Sequence, residues 1–138
     1  MTKIAIVGLG VMGKNHYRVL QNVSDVEIVG LCDPVAKDEF THTLYKDLDE
    51  MLSSVEIDAI VIATPTFLHK EVALKCIEKD IHLFIEKPVA STVEEGKIIL
   101  KASKKKNLKV VVGHIERFNP VVQALKNELK DKEVYSIN

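Results

Sequence analysis

The stretch from Lys3 to His16 limits what this chain can become more than any other part of it. An apolar run, Ile4 to Val7, ends on Gly8, Gly10 and Gly13 in the spacing G-x-G-x-x-G, and the residues from Val11 to Leu20 have helical spacing. Each glycine has its own reason. Gly8 permits the tight turn out of a strand, Gly10 lets a pyrophosphate approach the backbone, and Gly13 lets the helix pack closely on the strand. The first free N–H groups of the helix then face an anion, and the helix dipole adds to the attraction. A second apolar run, Val26 to Cys32, ends at Asp33, twenty residues past Gly13. A carboxylate there accepts hydrogen bonds from both hydroxyls of an adenosine ribose. A purely structural strand, turn and helix is the competing reading, and the full spacing with the acid in place weighs against it.

The rest of the chain repeats the alternation. Strands are predicted over Lys3–Val7, Val26–Cys32, Thr43–Tyr45, Ala59–Ala63, His82–Ile85 and Lys109–Val112. Helices are predicted over Val11–Gln21, after Asp47 as N-cap, over Leu68–Lys79, after Thr92 with Glu95 as a capping box, and from Pro120 onward. A further short helix is expected over residues 35–41, and residues 114–120 read as a loop. The run Ala59-Ile60-Val61-Ile62-Ala63 shows no alternation, as suits a parallel strand buried on both faces. Short links between strands and helices imply a three-layer α/β/α fold, a doubly wound Rossmann-type parallel sheet in the order 3-2-1-4-5-6. In such a sheet the ligand crevice lies outside the carboxyl ends of the strands. Gly8–Gly13, Asp33, Thr64-Pro65, Glu86-Lys87-Pro88 and His114–Asn119 each directly follow a predicted strand, so they gather along one edge.

Composition removes other classes. At 138 residues the chain suits a single domain with a real core. A net charge of −1 gives no bulk attraction for nucleic acid. Lys101, Lys104, Lys105, Lys106 and Lys109 sit at a helix end, where cations suit the dipole and stay solvated. Cys32 and Cys76 form no C-x-x-C pair, and the five histidines show no H-x-x-x-H spacing, so neither a disulfide framework nor a metal site is indicated. The first residues enter a strand at once, with no room for a signal peptide, and no apolar run approaches the ~20 residues of a membrane helix. A cytoplasmic protein is expected, without a membrane partner.

With Glu86-Lys87-Pro88, the chain resembles a known family. Gly8–Gly13 with His16, Asp33-Pro34, Thr64-Pro65 with His69, and Glu86-Lys87-Pro88 look like the glucose–fructose oxidoreductase / inositol dehydrogenase (Gfo/Idh/MocA) family, over essentially the whole chain. Within it, His114-Ile115-Glu116-Arg117-Phe118-Asn119-Pro120 looks most like dehydrogenases that oxidise the 3-hydroxyl of UDP-N-acetylglucosamine or related nucleotide sugars. The resemblance implies NAD as cofactor and a sugar or nucleotide sugar as substrate. It puts Gly8, Gly10, Val11, Met12 and Gly13 at the pyrophosphate and Asp33 at the adenosine ribose. Thr64, Pro65 and His69 would line the path from adenine to nicotinamide. Glu86 and Lys87 would sit by the nicotinamide ribose, with Lys87 also catalytic at the substrate hydroxyl. His114, Arg117 and Asn119 would face the substrate side. In this family the Lys87–Pro88 peptide is often cis.

Members of the family are longer, with a second α/β domain that supplies most of the sugar pocket and a catalytic histidine, and the full-length enzyme is implied to be a homo-oligomer. Residues 1–132 then form the dinucleotide-binding domain. Residues 133–138, with Val134–Ile137 reading as a strand just beginning, open the missing domain, so Tyr135 and Ile137 are expected to lack their usual cover. His16 and His82 read as packing or solvated residues. Arg117 has Glu116 as an ordinary surface partner. Pro34-Val35-Ala36 offers no arginine or serine to a 2′-phosphate, with Lys37 as the nearby cation, so NAD is expected to be preferred to NADP. A non-catalytic NAD-binding sensor is the alternative, and Lys87 separates the two, because a sensor needs no lysine beside a nicotinamide.

Overall fold

The computed structural model describes residues 1–37 and 40–132. The strands are β1 (Thr2–Val7), β2 (Val26–Cys32), β3 (Leu44–Tyr45), β4 (Ala59–Ile62), β5 (His82–Ile85) and β6 (Val110–Val112). The helices are α1 (Val11–Leu20), α2 (Leu48–Ser54), α3 (His69–Glu78), α4 (Val93–Lys105) and α5 (Pro120–Leu129). All pairings are parallel, in the order β3-β2-β1-β4-β5-β6, as the alternation of elements predicts. The order reverses between β1 and β4, which opens a crevice above their carboxyl ends.

Both faces of the sheet are covered. On one, Ala5, Ile60, Ile62 and Ile85 are fully buried against Ala73 and Cys76 of α3, Met51 of α2 and Ile99 of α4. On the other, Ile6 and Val61 pack with Tyr17 and Leu20 of α1. Burial on both faces is why β4 lacks alternation. Helix ends follow the chemistry of the sequence. Asp47 accepts the Glu50 N–H, Thr92 accepts the Glu95 N–H, and Asn119 accepts the Val121 N–H ahead of Pro120. The Glu95 carboxylate reaches back to the Ser91 N–H and also holds Lys70 at 2.8 Å.

Some expectations change. No helix forms among the described residues of 35–41, because Asp33 Oδ1 accepts both the Val35 and the Ala36 N–H at 2.9 Å and fixes a local turn instead. Residues 114–120 are not a plain loop but contain a 3-10 turn, Ile115–Phe118. A second 3-10 turn, Thr66–Leu68, leads into α3, which begins at His69 rather than Leu68. Helix α5 leaves Val121 and Leu125 exposed. The strand expected over residues 134–137, with Tyr135 and Ile137, lies outside the described residues. Among the described residues no helix is long and apolar enough to cross a membrane.

Two of the glycines are fixed by the fold itself. Gly8 has a φ of +87°, and a Cβ there would lie 2.6 Å from the Ala63 carbonyl and the Thr64 nitrogen. At Gly13 a Cβ would lie 1.8 Å from the Gly8 carbonyl oxygen. Gly10 is different, since a Cβ there meets nothing within 4 Å. Gly13→Ala should therefore destabilise the domain by about 2 kcal/mol or more in urea unfolding, while Gly10→Ala stays within about 0.5 kcal/mol of the wild type. Equal stability of the two variants would show that α1 does not depend on this close approach.

Candidate functional site

The crevice is built from strand ends. Val7, Gly8, Gly10, Cys32, Asp33, Pro34, Ala63, Thr64 and Pro65 line a cleft of about 420 Å³ along the carboxyl ends of β1, β2 and β4. Helix α1 points its amino end here. Its N-cap is Gly10, which supplies no side-chain bond, and its first turn carries no acid. By contrast, α2, α4 and α5 are all capped by side chains. The uncapped N–H groups and the dipole of α1 therefore meet the cleft unscreened, as an anion site needs. Val11 is exposed at this end and Met12 is half-buried behind it.

Asp33 stands on the β2 side. Its Oδ2 accepts the Leu9 N–H at 2.8 Å, which ties the glycine loop to β2. Burial raises its pKa, but bonds from the Leu9, Val35 and Ala36 N–H groups outweigh this, and the net shift is below the ordinary carboxylate value. The group remains an anion, and with Oδ1 taken by two donors and Oδ2 by one, a lone-pair site on Oδ2 is left for a hydroxyl. Cys32, next to it, is pushed up to about 11, by burial first and then by Asp47 and Asp33, so it stays a thiol. Lys37 is not the only cation near this turn. Lys46, next after β3, donates to the Ala36 carbonyl and favours the Asp33 charge. Sequence spacing did not reveal it, because the pairing of β2 with β3 brings it alongside.

On the β4 and β5 side the residues divide. Thr64 lines the cleft, but its Oγ1 is buried, with no hydrogen-bond partner among the described residues. Pro65 is exposed at the rim. His69 is only 1% exposed, and its ring lies between the Pro88 carbonyl, 3.0 Å from Nδ1, and the Thr64 carbonyl, 2.9 Å from Nε2. It is a strut that joins two loops beneath the cleft, rather than a wall of it. Lys87 is exposed, the Lys87–Pro88 peptide is cis, and the Lys87 ammonium makes no ion pair among the described residues.

Glu86 is buried, at 5% exposure, with Oε1 2.6 Å from His16 Nε2. His16 is thus a partner of the site, not a solvated residue. Its partner is 70 positions away, beyond the reach of any spacing rule. His82 does act structurally, since its Nδ1 accepts the Lys109 N–H. A second cleft of about 290 Å³ is lined by Lys87, Gly113, His114, Ile115, Glu116 and Arg117. His114 and Arg117 are exposed there, and Arg117 makes no ion pair among the described residues. Asn119 has a local duty instead, capping α5 and donating to Glu116 at 2.8 Å. Among the described residues, no group of His, Cys, Asp and Glu is arranged to hold a metal ion.

The cradle fits a dinucleotide. Open space at Gly10, an uncapped helix and a charged acid at Asp33 are what pyrophosphate and ribose groups require. Residues 2–114 match the family described as "Oxidoreductase family, NAD-binding Rossmann fold" (GFO_IDH_MocA). A curated relative from Sphingobium sp. strain SYK-6, 4-carboxy-2-hydroxymuconate-6-semialdehyde dehydrogenase, is 33% identical, covering 92% of this chain and 42% of its own length. Glucose-6-phosphate 3-dehydrogenase of Bacillus subtilis is 29% identical, covering 99% of this chain and 40% of its own. Among solved structures, the WlbA dehydrogenase of Chromobacterium violaceum, in complex with NADH and UDP-GlcNAcA, superposes with a TM-score of 0.85. It is 28% identical and covers 94% of this chain and 40% of its own. The chain thus spans about two-fifths of the length of these relatives. It belongs to the Gfo/Idh/MocA oxidoreductase family, as an NAD-binding Rossmann domain.

Proposed function

We propose that this chain is the cofactor-binding part of an NAD-dependent dehydrogenase that oxidises a sugar or nucleotide-sugar hydroxyl, with the 3-hydroxyl of UDP-N-acetylglucosamine or a close analogue as the specific case. Residues 1–132 are the binding domain in this reading, and a second domain beginning at 133–138 completes the sugar pocket. The observation that carries it is Lys87, exposed at the end of β5 and lining a cleft with His114 and Arg117 beside the dinucleotide crevice. The WlbA structure, with NADH and UDP-GlcNAcA, and the glucose-6-phosphate 3-dehydrogenase support the substrate class.

When bound, NAD supplies the hydride acceptor at C4 of its nicotinamide. The chain has to place the substrate oxygen and manage its charge. The Lys87 ammonium would hold that oxygen and stabilise the negative charge it develops as its proton passes to a base, a histidine that the second domain would supply. His114 and Arg117 add donors on the same side, and Arg117 suits a carboxylate or phosphate. Asp33 reads the ribose hydroxyls of the adenosine half and repels a 2′-phosphate. Buried free thiols at Cys32 and Cys76 accord with a reducing compartment, and we place the protein in the cytoplasm. A sensor role is the weaker reading, since it gives Lys87 nothing to do.

Titration calorimetry should show tighter binding of NAD than of NADP, and Asp33→Ser should narrow the gap about tenfold. Tighter NADP binding by the wild type would overturn the assignment of Asp33. In an enzyme carrying this domain, Lys87→Ala should lower kcat by about a hundredfold or more while NAD affinity changes less than about threefold. Normal turnover by that variant would make Lys87 a structural residue.

A further inference from the structure

Resting on that reading, a second role concerns a residue that touches neither crevice directly. Glu86 closes β5, and its carboxylate is folded inward rather than toward solvent. The slot that receives it is made by Gly113, where a Cβ would sit 3.1 Å from Cδ, Oε1 and Oε2 of Glu86. His16 Nε2 lies 2.6 Å from Oε1, and among the described residues the remaining oxygen accepts a single long bond, 3.3 Å, from the Lys87 N–H. The His16 ring is itself held edge-on against Phe84, with centroids 5.1 Å apart. Three elements therefore meet in this pair: α1 through His16, β5 through Glu86, and the end of β6 through Gly113.

Simple packing does not account for it. A buried carboxylate is unfavourable unless it is paired, and an apolar side chain of the same volume would fill a slot at lower cost. The residue after it, Lys87, is exposed, so the pair lies just beneath the working surface. Helix α1 is also the helix whose amino end faces the pyrophosphate position. The pair thus connects the phosphate-binding helix to the turn that carries Lys87, on the β5 side of the glycine loop and away from Asp33 on the β2 side.

We propose that His16 is a positioning residue for the nicotinamide half of the cofactor. By holding Glu86 down in the Gly113 slot, it fixes the Glu86-Lys87-Pro88 turn relative to α1. The adenosine half, read by Asp33 and the α1 amino end, does not depend on it.

The 138-residue chain tests this with two probes, NADH and ADP, which lacks both the nicotinamide and its ribose. His16→Ala should weaken NADH binding about fivefold and reduce the emission enhancement of bound NADH by about half, while ADP affinity stays within about twofold. His16→Gln, whose Nε2 amide donates toward the same carboxylate, should restore both NADH readouts. Glu86→Gln should fall between the wild type and His16→Ala. If His16→Ala proves unfolded by circular dichroism, the His16→Gln and Glu86→Gln measurements decide alone, and wild-type NADH emission in Glu86→Gln overturns the proposal. Equal losses for NADH and ADP would also overturn it, by showing a general structural role, as would unchanged NADH emission in His16→Ala. If the wild type binds neither probe, the dinucleotide reading itself fails and takes this inference with it. A selective failure in the variants removes the inference alone.

Discussion

The contact between the start of α1 and the ends of β1 and β4 sets the geometry of everything that follows. A Cβ at Gly13 would sit 1.8 Å from the Gly8 carbonyl oxygen, and a Cβ at Gly8 would sit 2.6 Å from the Ala63 and Thr64 backbone. No side chain fits either place. The consequence is that α1 begins directly over the point where the strand order reverses, with its amino end aimed along the crevice. The Leu9 N–H, inside the same turn, is spoken for by Asp33. One backbone approach therefore fixes both the amino end of α1 and its distance from the Asp33 carboxylate.

Much of this was legible in the sequence, for reasons that are local. Glycine at fixed spacing, unalternating apolar runs and side-chain caps act within a few residues, and the strand order follows from connection rules. Asp47 and Thr92 cap the helices they precede, as their spacing implies, whereas Asn119, read as a substrate-side residue, caps α5. What escaped is non-local or competitive. The pairing of His16 with Glu86 spans 70 positions, and Lys46 reaches the Asp33 turn only because β3 lies beside β2. Residues 35–41 have helix-compatible composition, yet Asp33 takes the Val35 and Ala36 N–H groups first. The motif around His69 was visible, but not that both ring nitrogens would face backbone carbonyls beneath the cleft.

The crevice is asymmetric in charge as well as in shape. Its β2 end carries an anion stabilised by three backbone donors, and its β5 and β6 end presents Lys87, His114 and Arg117 to solvent. Between them lies the partial positive charge of an uncapped helix. Hydroxyls suit the first end, a pyrophosphate suits the middle, and an oxygen that gains negative charge suits the last. On the proposed reading that order sets which way round a dinucleotide would lie, because reversing it would set the acid beside the reaction and leave the lysine at the adenine.

Exposed cations alone do not prove such a site, since a solvated lysine is nearly free of cost wherever it stands. The informative residues are those a fold would not keep for its own stability. Glu86 is a carboxylate buried where an apolar group would serve. Thr64 Oγ1 is a buried hydroxyl without a partner. Gly10 is a glycine in open space, where alanine would fit the protein itself. Each is a small loss by the rules of packing and hydrogen bonding. All three lie along the carboxyl edge of one sheet. A structural explanation would need three separate accidents there, whereas the dinucleotide site proposed above offers one cause for their gathering at that edge.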